Sequence, residues 1–228
     1  DRDIGIFNTG LLADFFVQHG LRYTQRSVFE PVLHDGLRPA LQQVRQAPAP
    51  RKRRIVVYAR PGTPRNAFEL ICEGLRLWGW KDPRAAQWEV AAPGELQADL
   101  DLGPFALKAL GKLDIDAYAE LLSSSAIGLS LMVSPHPSYP PLEMAAFGMG
   151  VVTNRYDNKR LDETMANVVS LDAMTPEAIC RALMGQVDLC EARGMHPGVT
   201  AGEDDPLLQV GSFDRVADDA AAALGLSI

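Results

Sequence analysis

The 228-residue chain is 47% hydrophobic, 22% charged and 7% aromatic, and its 22 basic and 29 acidic side chains leave a net charge of −7. That balance excludes a wholly disordered chain and argues against duplex nucleic acid as the main partner, because phosphate binding wants clustered positive charge. No uninterrupted apolar run approaches the ~20 residues of a membrane span, and three cysteines without C-x-x-C spacing indicate neither a disulfide framework nor a zinc site, so a reducing cytoplasm is the simplest setting.

The chain opens on Asp1 and is inside an apolar run by Ile4-Gly5-Ile6-Phe7, which suits a short strand over 3–7 and reads as a chain entered partway through a domain. Asn8 and Thr9 can cap a helix carrying Leu11, Leu12, Phe15 and Phe16, with Gly20 at its end. A second run around Val28-Phe29 is closed by Pro31. From 35 to 53 the apolar pattern fades. Ala47-Pro48-Ala49-Pro50 and the basic cluster Arg51-Lys52-Arg53-Arg54 then read as a solvated linker and boundary. A new domain opens with the strand Ile55-Val56-Val57-Tyr58. The pattern predicts a helix over 65–79 and strands at 88–91, 105–110, 127–133, 150–153 and 167–171. Asp114 caps one further helix, Thr175-Pro176-Glu177 opens another, and an amphipathic helix covers 212–224. Strands alternating with helices predict an α/β fold, a Rossmann-like parallel sheet with helices on both faces.

In open α/β sheets ligands bind at the carboxyl ends of strands, so the strand-to-helix corners carry the candidate chemistry. The first corner, Ala59-Arg60-Pro61-Gly62-Thr63-Pro64-Arg65-Asn66, sets Arg60 and Arg65 around a stiff loop; two guanidinium forks suit a phosphate, and an ordinary turn with two exposed arginines is the plain alternative. The corner from Ser134 to Ala145 runs through Pro135, His136, Pro137, Ser138, Tyr139, Pro140 and Pro141 into a helix bearing Glu143. Its prolines mark a helix start whose N–H groups suit an anion. A carboxylate on so small and apolar a helix can accept the hydroxyls of a ribose. His136 has two readings, a donor to a phosphate or sugar and the closure of a proline-rich turn. The third corner, Leu110-Gly111-Lys112-Leu113, offers exposed backbone and one cation; a plain surface lysine is the alternative for Lys112. Asp99-Leu100-Asp101 has the spacing of a metal-binding D-x-D, but nothing else marks it.

Taken together, residues 54–171 resemble the carboxyl-terminal, donor-binding domain of GT-B glycosyltransferases, with the three corners in the family's order. The proline-rich corner with Val152-Thr153-Asn154 is most similar to rhamnosyltransferases of bacterial rhamnan and surface-polysaccharide synthesis. The resemblance implies a nucleotide-diphosphate sugar donor, dTDP-rhamnose, and a polysaccharide or glycan acceptor. It places Arg60, Arg65, Lys112, His136, Ser138, Tyr139 and Glu143 on the donor, assigns no catalytic residue, and needs no metal. It divides the chain into the end of an amino-terminal acceptor domain (1–34), a linker (35–53), the nucleotide-sugar-binding domain (54–211) and a helix crossing back (212–228). The remnant at 1–34 would belong to a second α/β domain, otherwise missing, so the isolated chain is expected to be inactive. Peripheral membrane association is allowed for the longer parent. One departure stands out: many relatives carry a glutamate eight positions before the one that Glu143 matches, and here that position is Pro135. A non-catalytic nucleotide-binding or scaffold module of the same fold is therefore the rival reading.

Overall fold

The computed structural model describes residues 3–30, 32–208 and 213–226; the expected turn at Pro31 and the helix start at Ser212 lie outside them. In chain order the elements are β1 (Ile4–Phe7), α1 (Gly10–Gln18), β2 (Gln25–Val28), α2 (Arg38–Gln46), β3 (Lys52–Val57), α3 (Phe68–Lys81), β4 (Glu89–Pro93) and β5 (Leu100–Asp101). They continue with β6 (Ala106–Gly111), α4 (Ile115–Ser124), β7 (Ser125–Leu129), α5 (Tyr139–Ala146), β8 (Gly150–Asn154), β9 (Val168–Leu171), α6 (Pro176–Ala192) and α7 (Phe213–Leu224).

Seven strands form the main sheet in the order β5-β6-β4-β3-β7-β8-β9, parallel throughout except for the short antiparallel β5 at one edge. Residues on successive strand positions point to opposite faces. Ile55 and Val57 join the face covered by α3 and α6, with Ile71, Leu75, Trp78, Ile179 and Leu183. Val56 joins the other face, where Leu37 and Leu41 meet Leu122, Met144 and Phe147. The α3–α6 contact is close because Gly74 has no side chain: a Cβ there would stand 2.5 Å from Ile179. β1 and β2 pair in parallel as a separate two-stranded sheet, and α7 lies against it, with Ser27 Oγ donating to Asp219 at 2.8 Å.

The stretch expected to be a linker is half helical. Pro39 suits the first turn of α2, and this helix packs on α4. The basic cluster is solvated only in part: Lys52 and Arg53 are exposed, and Arg51 is not. Arg51 is buried and donates to the carbonyls of Leu122, Ser125 and Phe147, closing the end of α4, the start of β7 and the end of α5; burial pushes its guanidinium down to about 10. Lys52, Arg53 and Arg54 already belong to β3, where Arg54 pairs with Glu89 at 2.9 Å and Arg53 with Glu191 at 3.4 Å. The predicted helix over 65–79 begins later: Pro64–Asn66 make a 3-10 turn, and Ala67 at φ 48° delays α3 to Phe68. The other predicted strands fall within three residues of their places at the amino end, with 127–133 shortened at its far end to Leu129.

Candidate functional site

The chain leaves β3 toward β4 and β6 on one side of the sheet and returns through β7, β8 and β9 on the other, so the order reverses between β3 and β7. A crevice opens at such a switch point, outside the carboxyl ends of the strands. Arg60 and Arg65 lie on the loop after β3, and His136 and Ser138 on the loop after β7. Gly94 joins three strand ends at the floor: its N–H donates to Gly111 at 2.8 Å, and the next amide, Glu95, donates to Ala59 at 2.9 Å. At φ 132°, a Cβ on Gly94 would stand 2.3 Å from the Ala59 carbonyl oxygen, so glycine is required there.

Two concavities share this crevice. One, of about 460 Å³, is lined by Arg60, Lys112, Tyr139 and Glu143 together with Glu95 and Tyr118. Arg60 Nε donates to Glu95 at 2.8 Å, and this bond holds the guanidinium pKa above its ordinary value. Glu143 projects from the middle of α5 and accepts the Tyr118 hydroxyl at 2.8 Å. Burial pushes the Glu143 carboxyl up from the ordinary range, and the Tyr118 bond acts against that rise. Asp114 at the rim is committed to its helix cap, accepting the Ala117 N–H at 2.8 Å. Lys112 is exposed beside Gly111, whose φ of 62° turns the chain out of β6.

The second concavity, about 400 Å³, is lined by Arg60, Arg65, His136, Ser138 and Tyr139, with Asn8 from the amino-terminal part closing one side. His136 Nδ1 accepts the Ser138 N–H at 2.9 Å, and its Nε2 stands 2.9 Å from the Asn8 amide. Asn8 presents its Nδ2 to that nitrogen; a neutral ring accepting through Nδ1 carries its proton on Nε2, and the pair is satisfied with the Asn8 amide turned to present its oxygen. Burial, then Lys159 and Arg65, lower the His136 pKa and keep that neutral form in place. The turn-closing reading of His136 is seen directly in its Nδ1 bond to the Ser138 N–H, and its other nitrogen faces Asn8 at the pocket wall.

Ser138 is buried at φ 71° and makes no side-chain cap. The helix start differs from its sequence reading in one respect. Pro140 and Pro141 have no N–H and the Ser138 amide is used by His136, so Tyr139 is the one first-turn donor left for an anion.

Behind the second pocket the chain from Leu131 to Val133 is fastened on four sides. Asn66 donates to the Leu131 carbonyl at 3.0 Å, and the Arg65 carbonyl accepts the Val133 N–H at 2.7 Å. Asn154 takes the Met132 N–H at 2.7 Å and donates to the Met132 carbonyl at 3.1 Å, and Lys159 Nζ donates to that same carbonyl. Lys159 is fully buried, and desolvation pulls its pKa down to about 8.

All seven residues singled out from sequence therefore reach the crevice, with Arg60 and Tyr139 on the wall shared by both halves. Sequence reading missed Glu95, Tyr118, Asn8 and Lys159. Tyr118 carried a faint signal as a polar-tipped residue on an otherwise apolar helix face; Lys159 carried none. Asp99 and Asp101 serve their own loop: Asp99 pairs with Lys108 at 2.7 Å, and Asp101 accepts the Gly103 N–H at 2.8 Å. Among the described residues no three His, Cys, Asp or Glu side chains gather as a metal-holding group, and no helix is long and apolar enough to cross a membrane.

The family model described as WsaF, C-terminal domain, matches residues 53–184. The curated O-antigen biosynthesis protein RfbC of Myxococcus xanthus is 33% identical over 187 residues, which are 80% of this chain and 14% of that protein. The chain therefore spans a small part of that relative. Among solved structures, a sucrose-phosphate synthase from Thermosynechococcus elongatus aligns with 99% of this chain and 57% of its own at a TM-score of 0.59 and 16% identity. An α,α-trehalose-phosphate synthase (UDP-forming) from Burkholderia xenovorans aligns at 0.58 and 10% identity, covering 82% of this chain and 54% of its own. WaaG, a glycosyltransferase involved in lipopolysaccharide biosynthesis, aligns at 0.56 and 13% identity with the same coverage of 82% and 54%. At such identities these structures bear on the fold alone, and the fold is that of the carboxyl-terminal domain of GT-B glycosyltransferases.

Proposed function

The chain belongs to the family of the WsaF C-terminal domain, and from that premise we propose that it is the donor-binding part of a glycosyltransferase of polysaccharide or lipopolysaccharide synthesis. The donor is a nucleotide-diphosphate sugar, with dTDP-rhamnose the choice that the proline-rich corner favours. The observation that carries this reading is convergence: Arg60, Arg65, Lys112, His136, Ser138, Tyr139 and Glu143 come from three separate corners to one switch-point crevice. Glu143 takes the nucleoside sugar. Arg65, the Tyr139 amide and Arg60 take the diphosphate, whose charge grows as it leaves; fixed cations aimed at that charge stabilise the transition state without reorganising. In this reading no divalent metal is needed, and the three buried, free cysteines suit a reducing cytoplasm.

The acceptor belongs to another wall. Residues 1–34 serve as the edge of an amino-terminal acceptor domain and 212–228 as the helix that returns to it, a division supported by the separate β1–β2 sheet with α7 against it. Two strands and a helix build no acceptor cleft. Holding donor and acceptor together can be worth about 7–11 kcal/mol of a transfer barrier, so the isolated chain binds donor without measurable hexosyl transfer.

Thermal unfolding with added ligands tests the proposal. dTDP or UDP at ~100 times its dissociation constant stabilises the chain by about 2.7 kcal/mol, and NAD and FMN leave it unchanged. A flat response to every nucleoside diphosphate, with the fold intact, would refute it. One observation favours the second reading, a non-catalytic module: among the described residues no carboxylate lines the pocket around Arg65, in keeping with Pro135 at the position where the resemblance expects a first glutamate. Donor turnover by the full-length parent decides between the two.

A further inference from the structure

Behind the pocket that Arg65 and His136 line, the fully buried Lys159 has no carboxylate within ion-pair distance among the described residues. Its Nζ makes one hydrogen bond among them, to the carbonyl of Met132 in the pocket wall. An ammonium carries three donors, so two are left over in that position. The carboxylates of its own turn are taken, Asp157 by His19 at 3.1 Å and Asp162 by Arg155 at 2.6 Å. Arg65 from the loop after β3 and His136 from the loop after β7 share the region and offer no negative charge. Burial accordingly lowers the Lys159 pKa to about 8. An arginine there would hold its proton at any working pH, whereas a lysine can give it up and take it back.

We propose that Lys159 is the buried counter-charge of the diphosphate: phosphate oxygens seated in front of Met132 draw a proton from solvent onto the Lys159 amine, and the ammonium so formed adds to the positive charge that Arg65 supplies from the open side. The inference rests on the nucleotide-sugar reading above and deepens it. With the Met132 wall between them, ammonium and phosphates attract through protein rather than water, where screening is weakest. Above about pH 8 the free chain holds the amine neutral and the loaded chain holds it charged, so loading takes up a proton and affinity falls as pH rises. Neither the ring of His136 nor the ligand supplies that proton balance. Burial and the two cations keep His136 neutral in this range, and a phosphate sheds its last proton near pH ~6.

The test is calorimetry of dTDP and of thymidine on the whole chain between pH 7.5 and 9.5, in buffers of different ionisation enthalpy so that proton uptake is counted directly. In the wild type, dTDP should take up roughly 0.7 of a proton near pH 8.8 and lose about tenfold in affinity from pH 7.5 to 9.5, whereas thymidine takes up none. In Lys159→Met the uptake disappears, the pH dependence flattens, and dTDP binds about tenfold more weakly at pH 7.5. His136→Gln keeps the uptake, whatever it does to affinity. A lysine that only held the Met132 carbonyl would change affinity equally at every pH and move no proton. The wild-type proton count decides the matter even where Lys159→Met does not fold. Binding of dTDP without uptake at pH 8.8, or an uptake that survives Lys159→Met, overturns this inference alone. Failure of dTDP to bind the folded wild type at pH 7.5 overturns the nucleotide reading, and the inference with it.

Discussion

In the cleft over Glu143 the half-buried charges already have protein partners, Arg60 with Glu95 and Glu143 with Tyr118. Around the adjoining pocket, the exposed Arg65 on its wall and the buried Lys159 behind it do not. Arg65 and the fully buried Lys159 have no carboxylate within ion-pair distance among the described residues, and Lys159 makes its one hydrogen bond to a carbonyl. The first region is set in advance, its charged groups already held by protein partners. Behind the second, the buried charge of Lys159 has no carboxylate partner among the described residues and costs stability in the free chain, whereas Arg65 is exposed to solvent. In the proposed reading, nucleoside and diphosphate contacts thereby fall in different halves of one crevice.

The largest expected effect falls on the floor that both halves share. Gly94→Ala forces a side chain into a backbone carbonyl at 2.3 Å and a residue into φ 132°. Backbone strain of that kind costs about 1–3 kcal/mol before any overlap is counted. The variant should melt several degrees below the wild type and lose nucleotide binding in both halves together; unchanged stability would show that the β3–β4–β6 junction is not rigid.

Lys159 gives the next largest effect, and it has a sign. Its pKa falls from an ordinary 10.5 to about 8 in the folded chain. Between those values the unfolded chain holds the proton and the folded chain does not, so stability rises with pH through that window. Below about pH 8 the buried charge is a penalty of about 3 kcal/mol, from the pKa difference. Lys159→Met should flatten the rise between pH 8 and 10 and stabilise the chain at pH 7, while weakening diphosphates. Denaturant melts of both proteins across that range measure it. Parallel pH curves for the two would remove Lys159 from the account.

Much of this architecture was legible in the sequence, and the reason is periodicity. Ile55-Val56-Val57, buried on both faces, and the cap-and-proline signal at Thr175-Pro176 state their elements locally. The corners were legible as well, because strand ends of a parallel sheet face one edge and so collect Arg60, Lys112 and Glu143 without knowledge of the contacts. What could not be read depended on partners far along the chain. Arg51 looked like a solvated cation because nothing local shows that Leu122, Ser125 and Phe147 carbonyls surround it. Asn8 meets His136 across 128 positions, and Lys159 becomes a site neighbour only when the turn after β8 folds beneath the Met132 carbonyl. Pro140 and Pro141 were read as opening a donor-rich helix end, although their own missing N–H groups reduce it to the Tyr139 amide.

A third prediction separates the halves directly. Arg65→Ala should weaken dTDP by roughly tenfold to a hundredfold, the loss of one charge-assisted hydrogen bond of about 1.5–3 kcal/mol, and leave thymidine binding unchanged. Glu143→Ala should differ from it, lowering affinity for the nucleoside and the diphosphate by the same factor. Titration calorimetry with both ligands reads the two patterns; a loss of thymidine binding in Arg65→Ala, or a Glu143→Ala loss confined to the diphosphate, would show that the two halves are not divided in this way.

The smallest effect has the least expected direction. Glu95 neutralises Arg60 at 2.8 Å, and both side chains are about one-third exposed, at 34% and 38%. The pair is worth little to the fold, since exposed ion pairs contribute about 0–1 kcal/mol. Its carboxylate does stand in the crevice with a bound diphosphate, where like charges repel. Replacing Glu95 by Gln keeps an acceptor for Arg60 Nε, removes the negative charge, and frees the guanidinium to turn toward the phosphates. Affinity for dTDP should rise by a few fold, with melting temperature nearly unchanged and the gain shrinking in 0.5 M salt as screening shortens the reach of every charge. Arg60→Ala alone should weaken dTDP more than Arg60→Ala combined with Glu95→Gln, because the single variant leaves an uncompensated carboxylate beside the phosphates. If Glu95→Gln weakens dTDP instead, Glu95 positions Arg60 for the ligand rather than restraining it, and the pairing would be part of the binding geometry.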